Sequence, residues 1–202
     1  MFVMIGHPAG CIDKRCRKTR AAVENALYDF YGSHSHFEGL PVTQLCKTAN
    51  VSTPTFYRHF KGVHDVVRAK DRKMNARLKR KVGDDSRLPT GLVRAFDFVG
   101  KNNAYYVTNF LQQYERPFEN LAHILNPKIL EFVRLERRTR RSLATDQRIC
   151  SEIEHYLIFE IKWWINQDKC DFDKSSERIE EVILYSKYRI KEMEEKLSRK
   201  RR

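Results

Sequence analysis

Glycine is scarce in this chain, 8 residues in 202, and no G-x-G-x-x-G or G-x-x-x-x-G-K-[ST] run is present. No stretch of any length alternates apolar and polar residues as a strand does. Those two gaps exclude a nucleotide-binding α/β fold. Cysteine is limited to Cys11, Cys16, Cys46, Cys150 and Cys170, an odd number with no C-x-x-C pair. Neither a zinc site nor a disulfide framework is expected. No apolar run approaches the roughly 18 residues that a membrane span needs. The sequence also lacks H-E-x-x-H, a nucleophile elbow and any recognisable carboxylate pair. Its seven scattered histidines do not form a site. No catalytic residue, metal ligand or cofactor is therefore expected, and the chain is not read as an enzyme. The opening MFVMIGHPAGC lacks a basic start and makes a poor signal peptide, so the cytoplasm is the expected compartment.

Positive charge is abundant and unevenly placed. The net charge is +13. Residues 1–82 hold 16 Lys+Arg against 6 Asp+Glu, a balance of +10, which leaves +3 for the remaining 120 residues. A basic N-terminal half is the electrostatic footprint of a nucleic-acid binder, although a solvated basic surface has the same composition. Lys14, Arg15, Arg17, Lys18 and Arg20 form a basic arm before the first helix. Such an arm lies along phosphates or enters a minor groove, or is simply a solubilising tail.

Residues 41–61, PVTQLCKTANVSTPTFYRHFK, are the most informative stretch. They read as two short helices joined by a tight turn. Leu45 and Ala49 give the first an apolar face. Asn50 tolerates the left-handed conformation that the turn requires. Ser52 and Thr53 suit the cap of the second helix, and Pro54 its first turn. Phe56 and Phe60 are read as core. This is a helix-turn-helix pattern, whose second helix enters a major groove. Thr43 and Gln44 open the first of the two helices, where free amides and short polar groups hold phosphate. Thr53, Pro54 and Thr55 open the second, at the end facing base edges. Their methyl, ring and hydroxyl groups suit thymine methyls, bases or phosphates. Arg58 and Lys61 add charge.

Around this pattern, residues 19–67 resemble the DNA-binding domain of the TetR family of transcriptional regulators. A first helix carries a small and aromatic face: Ala21, Ala22, Ala26, Leu27 and Phe30. The family's A-G-V-S turn is matched by Ala49-Asn50-Val51-Ser52, and its t-l-Y-x-h-F ending by residues 55–60. Lys61-Gly62-Val63-His64-Asp65-Val66 stands where K-s-K-e-x-L is usual. The resemblance implies phosphate contacts from Tyr57 and His59. Val63 replaces a lysine often used on the DNA backbone. Anchoring is thus expected to fall on Tyr57, His59, Lys61 and the arm, with Lys14, Arg17 and Lys18 as its contact residues.

The rest of the chain reads as helices over residues 63–82, 88–101, 104–113, 117–138, 146–168 and 174–196. Pro127 is expected to kink or divide one of them. The expected fold is all-α: a three-helix helix-turn-helix domain, then an all-helical ligand-binding and dimerisation domain. The expected boundaries are a flexible basic arm (1–18), the DNA-binding domain (19–62), a connecting helix (63–82) and the helical domain (83–202). Residues 159–183, with Trp163-Trp164, resemble the branch of the family that includes the activator of dihydroxyacetone kinase operons. The resemblance implies an effector pocket, for which Phe96, Tyr105, Tyr106, Phe110, Phe132 and Tyr156 are candidates. It also implies a four-helix homodimer interface. Ile153, Leu157, Ile161 and Trp164, with Ile179, Val182 and Ile183, form stripes that suit that interface or an ordinary monomer core. The implied function is sequence-specific binding of a palindromic double-stranded operator by a homodimer, with repression released by a small-molecule effector. Activation, or control by a protein partner without a ligand, is the alternative.

Overall fold

The computed structural model describes residues 14–31, 40–84, 87–137, 142–167 and 172–199. Among these residues there are nine α-helices and no strand: α1 (Lys14–Tyr31), α2 (Val42–Thr48), α3 (Thr53–His59), α4 (Val63–Val82), α5 (Leu88–Lys101), α6 (Asn103–Leu111), α7 (Arg116–Glu136), α8 (Leu143–Ile165) and α9 (Phe172–Arg199). None is long and apolar enough to cross a membrane. The chain packs as two compact units, Met1–Arg72 and Lys73–Arg202, and the division falls inside α4.

In the first unit α1, α2 and α3 pack against one another in all three pairings. Val23, Ala26 and Leu27 of α1 are buried, as are Leu45 and Cys46 of α2 and Phe56 and Phe60 at the α3 end. Their helical spacing makes one apolar face per element. The Lys14–Lys18 segment is helical, which corrects the flexible arm expected there. Buried Cys16 lies two turns before Val23, so the apolar stripe carries the helix back to Lys14. Residues 1–13 of that arm lie outside the described residues.

The second unit is built on α5, α7, α8 and α9. Helix α7 packs on α8, α8 on α9, and α5 on both α7 and α9, while α6 lies against α5 and α8. Leu92, Phe96, Leu121, Leu125, Ile129, Ile149, Ile153, Leu157 and Val182 are completely buried at its centre. Helix α7 runs through Pro127 without dividing. Pro127 and His123, one turn earlier, are both exposed, so the proline ring and the carbonyl it leaves unbonded lie on the solvent side. The cap of α8 is Ser142, whose Oγ accepts from the Thr145 amide at 3.3 Å; Asp146 is buried and pairs with Arg137 at 2.9 Å.

The end of α4 is tied to α5 and α7 by polar groups. Arg94 donates to the Val82 carbonyl at 3.0 Å, and Lys128 Nζ donates to the Asp84 carbonyl at 3.0 Å. Arg94 thereby satisfies one of the carbonyls that the end of α4 leaves unbonded. Asp97 pairs with Lys81 at 3.0 Å and with Lys101 at 2.7 Å.

Candidate nucleic-acid interface

The turn before α3 follows from local chemistry. Asn50 has φ 51, the left-handed conformation. The Asn50 amide donates to the Lys47 carbonyl at 3.2 Å, and the Val51 amide to the Cys46 carbonyl at 3.0 Å. That pair of bonds closes α2 in the geometry glycine usually supplies. Ser52 then caps α3, accepting from the Thr55 amide at 3.3 Å, and Pro54 sits in its first turn.

Phe56 and Phe60 hold α3 from beneath, with ring centroids 5.6 Å apart. Tyr57 meets Phe56 edge-on at 5.4 Å yet stays 57% exposed, so its hydroxyl end is open to a partner. Pro54, Arg58 and Lys61 are exposed, and Thr53, Thr55 and His59 are half-buried. Thr43 and Gln44 are exposed on α2. On α1, Lys14, Arg17 and Lys18 are exposed in the first turns.

The structure brings the α1 turns and the end of α3 together. The Arg20 guanidinium lies 4.7 Å from the Phe60 ring centroid and donates to the His59 carbonyl at 3.4 Å. His59 Nδ1 lies 3.6 Å from Cys16 Sγ. His59 is thus a packing residue as well as a surface one. The linking role of Arg20 was not legible in the sequence, because Phe60, on which it stacks, lies 40 residues away. Beyond α3, the Lys61 amide donates to Asp65 Oδ2 at 3.2 Å and orients the start of α4.

The aromatic residues expected to line a pocket do not converge. Phe96 packs on Trp164, with centroids 5.3 Å apart. Tyr105 meets Tyr106 at 5.1 Å, and Tyr106 meets Phe118 at 5.8 Å; all are core. Phe110 is half-buried on α6. Tyr156 stacks on Tyr185 at 4.0 Å, and burial, then the Glu160 and Glu181 carboxylates, push its phenol up to about 12. Of the six, Phe132 alone lines the cleft of about 280 Å³ bounded by the start of α5, the second half of α7 and the middle of α9.

The residues expected at a dimer interface face inward. Ile153, Leu157, Ile161, Trp164, Ile179 and Val182 are buried in their own chain, and Ile183 borders the cleft. The apolar surface of α8 and α9 lies elsewhere. Phe159 is 60% exposed and stacks on Tyr156, and exposed Trp163 lies under the Arg178 guanidinium at 4.6 Å. Leu184 and Tyr188 are exposed on α9. Among the described residues no cluster of His, Cys, Asp or Glu has the form of a metal site.

No family model matches the chain, and no curated protein matches it. Solved structures do match. A TetR transcriptional regulator from Streptococcus agalactiae 2603V superposes with a TM-score of 0.65 at 18% identity, over 88% of this chain and 96% of that one. The dihydroxyacetone kinase operon activator DhaS superposes with a TM-score of 0.61 at 16% identity, over 84% of this chain and 97% of that one. The chain has the all-α TetR-like fold.

Proposed function

We propose that this protein is a sequence-specific DNA-binding transcriptional regulator that acts as a homodimer on a palindromic operator. The observation that carries this reading is α3. Phe56 and Phe60 fix it from within, while Thr53, Pro54, Thr55, Tyr57 and Arg58 line its outer side. Thr43 and Gln44 on α2, Lys14, Arg17 and Lys18 on α1, and Lys61 and His59 beside α3 supply phosphate contacts. That division, phosphate contacts around a short base-reading helix, is how helix-turn-helix proteins bind.

Two half-sites require two copies. With Ile153, Leu157, Ile161 and Trp164 committed to the chain's own core, the face offered to a second copy is Tyr156, Phe159 and Trp163 with Tyr185 and Tyr188. Exposed Phe159, Trp163 and Tyr188 around the half-buried Tyr156–Tyr185 stack form an apolar patch of the kind that marks an interaction surface. Repression released by a small molecule is the outcome we assign. The matched operon activator favours activation as a second reading, in which a protein partner replaces the ligand.

The test is titration of the protein against its own upstream DNA and against a scrambled duplex, at several salt concentrations. The regulator reading expects a preference of at least about a thousandfold at physiological salt. Equal affinity for both duplexes would refute it. Reporter transcription with and without the protein then separates repression from activation.

A further inference from the structure

The cleft at the start of α5 has a chemistry of its own. Its apolar surface comes from Leu88 and Pro89 on α5, Phe132 and Leu135 on α7, and Ile183 on α9. Arg87, the residue before α5, and Lys187, on α9, are both exposed in its lining. The Lys128 stem forms part of the lining, while its ammonium is held at the Asp84 carbonyl. Glu131 and Glu136 complete the lining. Three cations against two carboxylates leave the lining one positive charge in excess. A monoanion fits that balance, whereas a dianion meets repulsion from the two glutamates. A mostly apolar lining with a few charged groups is the usual form of a small-ligand site, and about 280 Å³ lies just below the usual range.

We infer that this cleft binds a small amphipathic monocarboxylate. Its apolar body lies against Leu88, Phe132 and Ile183, and its carboxylate pairs with Arg87 and Lys187. The site is formed by one unit of the chain, and its occupancy is read without DNA. Failure here leaves the regulator reading standing, and failure of DNA binding leaves this site standing.

Octanoate is the probe, titrated into the full chain while the isoleucine and leucine methyl signals are followed by NMR. Saturable one-site shifts at Ile183 and Leu88 are expected. Neutral octanamide should bind about fivefold more weakly, and octyl phosphate no more tightly than octanoate. Arg87→Gln combined with Lys187→Gln should lower octanoate affinity about fivefold, to the level of the amide. Both residues are exposed, so the variant keeps its fold. Ile183→Glu should abolish the shift at Leu88. The inference fails if the double variant binds octanoate as tightly as the parent, if octanamide binds equally well, or if no saturable shift appears.

Discussion

Arg58 Nη2 donates to Thr55 Oγ1 across 2.8 Å, one turn back along α3. Ser52 Oγ donates to the same oxygen, also at 2.8 Å. A hydroxyl oxygen accepts through two lone pairs, so Thr55 is left to act as a donor. A donor selects guanine N7 or O6, adenine N7 or thymine O4 in the major groove, and it cannot read the amino groups of adenine or cytosine.

Thr55→Val should therefore weaken binding at one or two base positions, by about 1–3 kcal/mol each. Tyr57→Phe and Lys61→Ala should weaken binding to all sequences alike, and Lys61→Ala should also reduce the salt slope by about 0.9. Anisotropy titrations with base-substituted duplexes distinguish the two patterns. A uniform loss with Thr55→Val would remove it from the base-reading set.

The left-handed φ at Asn50 makes a prediction about stability. Asn50→Gly should be tolerated, because glycine enters this conformation freely. Asn50→Val should cost about 1–2 kcal/mol, the steric price of the same conformation with a branched Cβ. Urea unfolding compares the two, and an equal effect would contradict the role given to the turn.

Gly91 makes room for Lys128. A Cβ at position 91 would stand 2.8 Å from Lys128 Cδ. Gly91→Ala should thus destabilise the parent protein, despite a helix-propensity gain of about 1 kcal/mol. In a Lys128→Ala background the clash is gone, and the same substitution should stabilise by roughly that amount. A double-mutant cycle by urea unfolding reads the reversal of sign. Destabilisation in both backgrounds would assign the crowding to Leu125 instead, whose Cδ2 lies 3.4 Å from the same point.

Asp97 sets a pH dependence. The Lys101 hydrogen bond, then the bond and charge of Lys81, hold its carboxyl below the ordinary 3.8, against the opposing effect of burial. A carboxyl lowered by folding stabilises the protein above its unfolded value, and that contribution is lost as pH falls through the folded value. The loss should therefore appear below about pH 4, with nothing from this residue between pH 5 and 7. Asp97→Asn should flatten that acid limb in urea midpoints measured against pH. An unchanged limb would place the acid sensitivity in other carboxylates.

The α8 and α9 surface makes a prediction about association. If the proposed homodimer forms through it, Phe159→Glu or Trp163→Glu should weaken association by at least about tenfold, with a parallel loss of DNA binding. Leu157→Ala should instead destabilise the monomer by about 2–5 kcal/mol, because Leu157 is completely buried within one chain. Sedimentation equilibrium and thermal melts separate the two effects. A dimer unaffected by either glutamate would move the interface elsewhere.

What the sequence determined by itself was local. The α2–α3 turn, the Ser52 cap, the place of Pro54 and the buried sides of Phe56 and Phe60 all depend on bonds or spacing within a few residues. Helical periodicity likewise marked which residues of α8 share a face. It could not tell what that face meets, because α8 carries two apolar stripes. One holds Ile153, Leu157, Ile161 and Trp164, and the other holds Tyr156, Phe159 and Trp163. Only packing on α7, α9 and α6 decided that the first is core while Phe159 and Trp163 of the second stay exposed. The same holds for Phe96 and Tyr106, drawn into the core by Trp164 and Phe118, and for Lys128, held at Asp84 from 44 residues away. Contacts of that range depend on which helices become neighbours, and a sequence pattern read one helix at a time carries no such information.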